Sequence, residues 1–399
     1  MKKILFVMNT MGRAGAEMAL LELLRRLVEA KMDVSLFVLT GQGEIIDKVP
    51  DGVHLLNKSY KEISVHTPEG KRHLFLTSCK ALFTRGNIIR LFPYILKNAW
   101  SMLKKKTIMP DKLLWRALSD GAIRFEDEYD IAVAYIEGGS TYYVSDHVNA
   151  KKKVAFFHVD YSMAGYSRML DKNCYENFHK IFPISGEVAA AFLEVYPEHK
   201  DKVEVFENLI NKDRILKMSK LEGGFTDKYE GIRILTVGRL VPQKDFAQSI
   251  EAMKLLKDYG TNAKWYILGE GEQREELEKL IHKLDLENDF FLLGVTDNPY
   301  AYMAQADVYV HASRFEGKSI AIQEAQVLEK PIIVSDCSGN REQVNHGTDG
   351  LICDFTPEAI SSAVMTLLAN PNDAKAYGKA AGLRHKDNDT EISKLLSLL

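Results

Sequence analysis

The sequence predicts an α/β chain of two doubly wound domains, each a parallel sheet covered by helices on both faces. Its 399 residues are too many for one ordinary core and suit two domains of roughly 150–200 residues. Short apolar runs of strand length alternate with amphipathic helical stretches, the order of βαβ units. That alternation occurs twice, on either side of a polar stretch containing Gly223-Gly224 and Asp227–Gly231.

The first strand is Ile4–Met8. Lys2 and Lys3 precede it as in a signal peptide, but five apolar residues followed by Asn9 and Thr10 are too few for a secretory core. A helix follows over Glu17–Ala30, where Leu20, Leu21, Leu24, Leu27 and Val28 share a face. Val34–Leu39, Ile131–Ile136, Val154–His158 and Ile181–Ile184 read as further strands of the first series. The second series has strands at Ile232–Val237, Lys264–Leu268, Phe290–Leu293, Val308–Val310 and Pro331–Val334. Its helices fall at Ala247–Asp258, Arg274–Leu284, Ala301–Gln305, Ser319–Glu329 and Pro357–Ala369. The domain boundary is placed near Asn211, giving domains 1–211 and 212–384. A last helix, 391–399, is expected to pack back on the first domain.

Composition narrows the class. The apolar share of 46% and charged share of 27% are those of a globular protein, which excludes disorder and fibrous repeats. A net charge of −3 argues against a general polyanion binder, so no nucleic-acid partner is expected. Cys79, Cys174, Cys337 and Cys353 stand far apart, without zinc or redox spacing, and fit a reducing compartment. No run approaches the ~18 apolar residues of a membrane span, so a soluble or peripheral protein is expected.

One segment departs from this balance. Lys71–Pro110 holds nine of the 52 basic residues and none of the 55 acidic ones. Phe75, Phe83, Ile89, Phe92 and Trp100 are interleaved with those cations. Cations and large apolar residues without acids suit a surface lying on an anionic bilayer, the alternative being a solvated basic face on ordinary helices.

Chemistry concentrates at the predicted strand ends of the second domain. Ile232–Val237 runs into Gly238-Arg239-Leu240, with Lys244 one short loop later. Two cations at the carboxyl edge of a parallel sheet suit a diphosphate, Arg as a fork and Lys as a point charge. A solvated pair on a loop is the plain alternative. After Val308–Val310 comes Ser313-Arg314-Phe315-Glu316-Gly317-Lys318-Ser319-Ile320, then a helix carrying Glu324. Amides near Lys318, Ser319 and Ile320 open that helix, where anions are favoured. Glu316 and Glu324 supply acceptors for ribose and sugar hydroxyls. As alternatives, Ser319 is a simple N-cap and Glu324 an ordinary exposed helix residue.

Gly238-Arg239-Leu240 with Lys244, then Leu268-Gly269-Glu270-Gly271, and Glu316 followed eight residues on by Glu324, resemble the retaining glycosyltransferases of family 4. The resemblance is dense over 232–370 and thin before it. It implies the GT-B fold, two Rossmann-like domains facing across a cleft. It also implies a retaining, metal-independent transfer of a hexose-type sugar from a nucleotide-diphosphate donor, with UDP favoured by family tendency. Arg239 and Lys244 would hold the diphosphate, Glu316 would lie beside the donor sugar, and Glu324 would bind ribose. Ser319 and Ile320 amides would add phosphate contacts. Gly317-Lys318-Ser319-Ile320 departs from the commoner Ser-Phe-Gly-Leu type of loop, and Lys318 adds a third cation.

In the first domain, Gly12-x-x-Gly15 lies between the first strand and helix, where the family places a loop near the transferred sugar; a plain βα turn is the alternative. His158-Val159-Asp160 ends a strand and resembles the family's histidine at the sugar end of the cleft. Glu137-Gly138-Gly139-Ser140 leaves another strand end, open to an acceptor contact or a tight turn. Glu137 and Asp160 are thus the acceptor-side candidates. No cofactor or metal site is expected: the sole Asp-x-Asp, Asp387-Asn388-Asp389, sits in a charged link.

Together these readings give a transferase acting on a lipid-linked or glycan acceptor, cytoplasmic and peripheral on the inner membrane face, with Lys71–Pro110 on the bilayer. A non-hydrolysing nucleotide-sugar epimerase and a catalytically silent, transferase-like partner are the alternatives.

Overall fold

The computed structural model describes every residue except 107, 108, 162, 163 and 385–388. Contacts divide the chain into one unit of Met1–Leu209 with Asp389–Leu399, and a second of Ile210–Asn388.

The first unit is a six-stranded sheet: β1 Lys3–Met8, β2 Asp33–Val38, β3 Val53–Leu55, β4 Tyr129–Ala134, β5 Ala150–Phe157 and β6 Lys180–Pro183. The order is β3-β2-β1-β4-β5-β6, with every neighbouring pair parallel. Alternation along β1 explains its continuous apolar run. Ile4, Phe6 and Met8 face a core with Leu20, Leu24 and Leu27 of helix Gly15–Glu29, whereas Leu5 and Val7 face Tyr142, Phe157 and Phe192. The C-terminal helix Asp389–Leu396 closes the first of these cores, with Leu395 fully buried there. Glu391 Oε2 accepts from the Glu207 amide at 2.8 Å and Lys2 Nζ donates to the Leu399 carbonyl at 2.8 Å, so both chain ends meet on this unit.

The second unit repeats the plan with β7 Ile232–Val237, β8 Ala263–Leu268, β9 Phe290–Gly294, β10 Val308–His311, β11 Ile332–Ser335 and β12 Leu351–Cys353, ordered β12-β11-β10-β7-β8-β9. Its first and fourth strands, β7 and β10, are neighbours, as β1 and β4 are in the first unit. The winding reverses there, and ligands of such sheets bind beside the carboxyl ends of that strand pair.

Two strands go beyond the sequence reading. β3 and β12 are three residues long and stand at sheet edges, too short to show a period, and β3 is half-buried to exposed.

The basic segment between β3 and β4 folds largely as two helices, Pro68–Phe83 and Asn87–Lys104. The first is capped by Thr67, whose hydroxyl accepts from the Gly70 amide at 3.1 Å. The second buries Leu91, Tyr94, Asn98 and Met102 against the unit, with Tyr94 Oη donating to the Leu170 carbonyl at 2.9 Å. Its opposite side presents Ile89, Phe92, Leu96, Trp100 and Leu103, all more than half exposed.

Leu395→Ala is expected to destabilise the first unit by about 2–5 kcal/mol, since a fully buried leucine leaves a cavity that closes only in part. Urea unfolding checks this. A change within about 0.5 kcal/mol would show that the C-terminal helix does not hold this core together.

Candidate active site

At the carboxyl edge of the second unit, backbones pack directly on one another. Gly238 to Leu240 leave β7 alongside Leu268 to Gly271 leaving β8: the Gly238 amide donates to the Leu268 carbonyl and the Leu240 amide to the Glu270 carbonyl, both at 3.0 Å. A Cβ on Gly269 would stand 1.9 Å from the Gly238 carbonyl oxygen, and one on Gly271 2.2 Å from that of Leu240. These glycines permit the approach that carries Arg239 round the turn. Arg239 is exposed at that edge.

The Lys244 loop is fastened to the loop after β10. The Arg314 amide donates to the Gln243 carbonyl at 3.0 Å and Gln243 Nε2 to the Phe315 carbonyl at 2.8 Å. Arg314 pairs with Asp245, a non-glycine residue held in the left-handed region at φ 42°. Lys244 and Glu316 consequently form a direct ion pair, with the two side chains 13% and 9% exposed. Ser313 Oγ donates to Glu316 Oε1 at 2.6 Å. His311 Nε2 stands 3.0 Å from Lys244 Nζ and 3.2 Å from Glu316 Oε1.

Burial alone would raise the Glu316 pKa, but Lys244 and His311 outweigh it and hold the carboxyl well below its ordinary range. Burial and the Lys244 charge push His311 down, so its imidazole is neutral at physiological pH. Glu316 is therefore a permanent anion, able to accept from hydroxyls but carrying no proton to give.

Glu324 lies in the helix Ile320–Val327 and its environment is the opposite. Burial pushes its pKa up to about 7, against the hydrogen bond from Tyr300 Oη (2.8 Å) and the Arg214 charge. The side chain keeps some solvent contact, and its nearest fixed partner is a neutral hydroxyl. Tyr309, buried on β10, has its hydroxyl 3.3 Å from His311 Nδ1 and feels the charges of both Glu324 and Glu316.

The helix opening differs from the sequence reading at Ser319. Its amide donates to Gln343 Oε1 at 2.7 Å and its carbonyl accepts from Gln343 Nε2 at 2.8 Å. The Ser319 amide is thus already used within the protein, and its side chain makes no capping bond. Ile320 is the first helical residue, and its amide has no partner within the helix. Gly317 passes directly over Gly339, where a Cβ would stand 2.0 Å from the Gly317 carbonyl oxygen. Lys318 follows on the same loop, half-buried.

In the first unit, His158 follows β5 and is buried. Its ring lies 4.8 Å from that of Tyr135 and is bonded to the Tyr135 backbone, while Nε2 is buried without a hydrogen-bond partner. Burial lowers its pKa to about 4. Glu137 is corrected from acceptor contact to internal support: it is 2% exposed, and Oε1 accepts from the amides of His158 at 2.5 Å and Val159 at 3.1 Å. A carboxylate at one strand end thus fixes the next. Asp160 is half-buried, its carbonyl accepting from the Ala164 amide at 3.0 Å. Gly15 is the exposed first residue of its helix, whose N-cap, Ala14, offers no side-chain bond; Gly12 faces Glu44. The Asp387-Asn388-Asp389 run falls outside the described residues but for Asp389, which opens the last helix.

Sequence reasoning assigns no part to His311, Ser313, Tyr300 or Gln343. His311 ends β10 as His158 ends β5, a signal that could have singled it out. Gln343 lies 24 residues beyond the amide it holds, with no local pattern to announce it.

Residues 226–384 match the family described as Glycosyl transferases group 1. The match lies within the second unit and spans most of it. The chain is 35% identical over 190 residues to the Campylobacter jejuni N-acetylgalactosamine-N,N'-diacetylbacillosaminyl-diphospho-undecaprenol 4-alpha-N-acetylgalactosaminyltransferase, covering 47% of this chain and 50% of that protein. It is 25% identical over 312 residues to the Bacillus subtilis poly(glycerol-phosphate) alpha-glucosyltransferase, covering 70% and 44%. The chain spans about half the length of these curated relatives. Among solved structures, Anabaena Alr3699/HepE in complex with UDP matches with a TM-score of 0.68 at 16% identity, over 100% of both chains. A mutant of Staphylococcus aureus TarM, in complex with fondaparinux, alpha-GlcNAc-glycerol and UDP, matches at 0.67 and 16%, over 100% of this chain and 99% of that one. The fold is GT-B.

Folding keeps Glu324 protonated to a higher pH than an unfolded glutamate. Its contribution to stability is fully present below about 4.5, the ordinary glutamate value, and is lost as pH rises through about 7. Glu324→Gln is therefore expected to match the parent Tm near pH 4 and exceed it at pH 8. Thermal unfolding across that range checks it; an equal Tm difference at both ends would contradict the elevated pKa.

Proposed function

We propose that the protein is a retaining glycosyltransferase. It moves a hexose-type sugar from a nucleotide-diphosphate donor, UDP favoured, to a lipid-linked or glycan acceptor. The observation that carries this reading is the Lys244–Glu316 ion pair beside the opening of helix Ile320–Val327, at the switch point of the sheet within the stretch that matches Glycosyl transferases group 1. A cation, a permanently ionised carboxylate and helix-end amides together match a diphosphate joined to a sugar.

In the reaction, the bond between the sugar's anomeric carbon and the diphosphate oxygen breaks. A bond to the acceptor oxygen forms, and the acceptor proton passes to the departing diphosphate. Negative charge grows on that diphosphate, and Arg239, Lys244 and the Ile320 amide oppose it. Lys318 adds a further cation on the same loop. A cation ~4 Å away at an effective dielectric near 20 contributes about 4 kcal/mol, of which only the part that grows during reaction accelerates it. Glu316 accepts from sugar hydroxyls and Glu324 from ribose. His158, neutral and positioned through Glu137, is the first unit's candidate for a donor-sugar contact.

With these groups as counter-charges the transfer requires no metal. The acceptor reading draws on the relatives, whose names state a diphospho-undecaprenol and a poly(glycerol-phosphate) substrate. The exposed apolar side of helix Asn87–Lys104, flanked by Arg90, Lys97 and Lys104, supports residence on the anionic cytoplasmic face of a membrane.

Arg239→Ala or Lys244→Ala is expected to lower turnover by roughly 10²–10³, by analogy with removal of one oxyanion donor. A nucleotide-sugar panel, scored first by thermal protection, identifies the donor for that assay. Near-normal turnover in either variant removes that residue from the role, and activity abolished by EDTA and restored by Mn²⁺ overturns metal independence. Conversion of donor without acceptor would favour the epimerase. Phe92→Ser with Trp100→Ser should weaken co-sedimentation with anionic vesicles by about tenfold; unchanged sedimentation would remove the helix from the membrane.

A further inference from the structure

Beside the exposed apolar stripe, the first unit holds a cavity of about 460 Å³ between helix Asn87–Lys104 and the turn at 168–172. Arg90, Lys97, Arg168 and Lys172 line it together with Asn98 and the ring of Tyr94, and among the described residues no acidic one does. Two of the cations are already balanced: Arg90 bonds Asp120 Oδ2 at 2.8 Å and Arg168 bonds Glu198 Oε2 at 2.7 Å. Lys97 and Lys172 form no ion pair among the described residues.

Lys172 is held in place by the backbone. It and Asn173 both occupy the left-handed region, at φ 48° and 57°, and its amide donates to the Arg168 carbonyl at 3.0 Å. Two successive non-glycine residues there cost conformational energy that the fold must offset. The result sets the Lys172 ammonium 4.6 Å from the centroid of the Tyr94 ring, at the cavity wall. Burial lowers its pKa, as do Arg116 and Arg90, while Asp120 and Asp146 act in the other direction.

We propose that this cavity receives the phosphomonoester or diphosphate headgroup of a lipid whose chains lie along Phe92, Leu96 and Trp100. Two ammonium groups outside any ion pair among the described residues, Lys97 and Lys172, match a doubly charged terminal phosphate better than the single charge of a phosphodiester. The cavity and the apolar stripe belong to the same helix, so a headgroup in one brings its hydrocarbon to the other. This deepens the membrane reading above and rests on it: the surface there selects a class of headgroup rather than negative charge in general.

The test is co-sedimentation of the full chain at low salt with vesicles of phosphatidylcholine containing either phosphatidic acid or phosphatidylglycerol, matched in surface charge. The parent should partition onto phosphatidic acid at least tenfold more strongly. Lys97→Gln with Lys172→Asn should bring that partition to within twofold of the value on phosphatidylglycerol. Lys105→Gln with Lys106→Asn removes equal charge beyond the cavity, also at a left-handed residue, and should lower both partitions by one factor. Equal partition of the parent onto the two vesicles, or equal effects of the two double variants, overturns the proposal while leaving membrane residence intact. Failure to bind any anionic vesicle overturns both. Short-chain phosphatidic acid should also raise the parent's Tm where short-chain phosphatidylglycerol does not, a readout that needs no variant; equal shifts count against the headgroup site.

Discussion

The charges of the second unit are placed by backbone running against backbone. At Gly269, Gly271 and Gly339 even a methyl group would overlap a carbonyl oxygen, the added carbon standing 1.9, 2.2 and 2.0 Å away. Removing side chains at these crossings lets the segments after β7 and β8, and those after β10 and β11, pack backbone on backbone. The loops then have little freedom: Gln243 ties the Lys244 turn to Phe315, and Gln343 ties the helix opening at Ser319. The ion pair of Lys244 and Glu316 follows from that packing, and its positions would scatter if the glycines were bulky. Rigid placement of this kind is what electrostatic catalysis requires, because groups that must reorient lose in reorganisation what they gain in attraction.

Two glutamates eight residues apart acquire different chemistry from their neighbours alone. Glu316 has an ammonium, an imidazole and a hydroxyl around it, and stays ionised despite burial. Glu324 has a phenol and a distant guanidinium, and burial prevails. Near pH 7 one is a fixed acceptor, whereas the other alternates between donor and acceptor. A ribose, with paired hydroxyls that both give and take hydrogen bonds, fits the second environment; a sugar ring carrying growing positive charge fits the first. The sequence displays two identical residue types and cannot distinguish them, because the difference lies in Tyr300, His311 and Ser313.

The doubly wound fold is legible in the chain because buried parallel strands must be apolar on both faces, which Ile4–Met8 displays without interruption and Ile232–Val237 nearly so. The two three-residue strands escape because they are too short to show a period, and Val53–Leu55 also carries little burial to read. Among site residues, Arg239, Lys244 and Glu316 are legible since they follow strand ends within a few positions. The part played by Ser319 is hidden because its amide is answered by Gln343, a contact visible only after the chain has returned past β11. Glu137 misleads for a related reason: a polar residue at a strand end is read as open to a ligand, yet its carboxylate fixes the amides after β5.

Helix Asn87–Lys104 inverts the usual arrangement of a surface helix, and the energetics indicate why that is tolerable. Large side chains left in water each forgo roughly 1.5–3 kcal/mol of burial. Five of them on one face, more than half exposed, forgo on the order of 5 kcal/mol, comparable to the whole stability of a modest domain. A fold would shed such a face unless something else covered it. Its inner side is fully used by Leu91, Tyr94 and Met102, so rotating the helix would expose as much as it buried. Cations flanking the stripe discourage self-association through like charge, yet add about 1 kcal/mol each when the neighbour is an anionic surface. On the proposed reading, the same residues would disfavour a second copy of the chain and favour a bilayer.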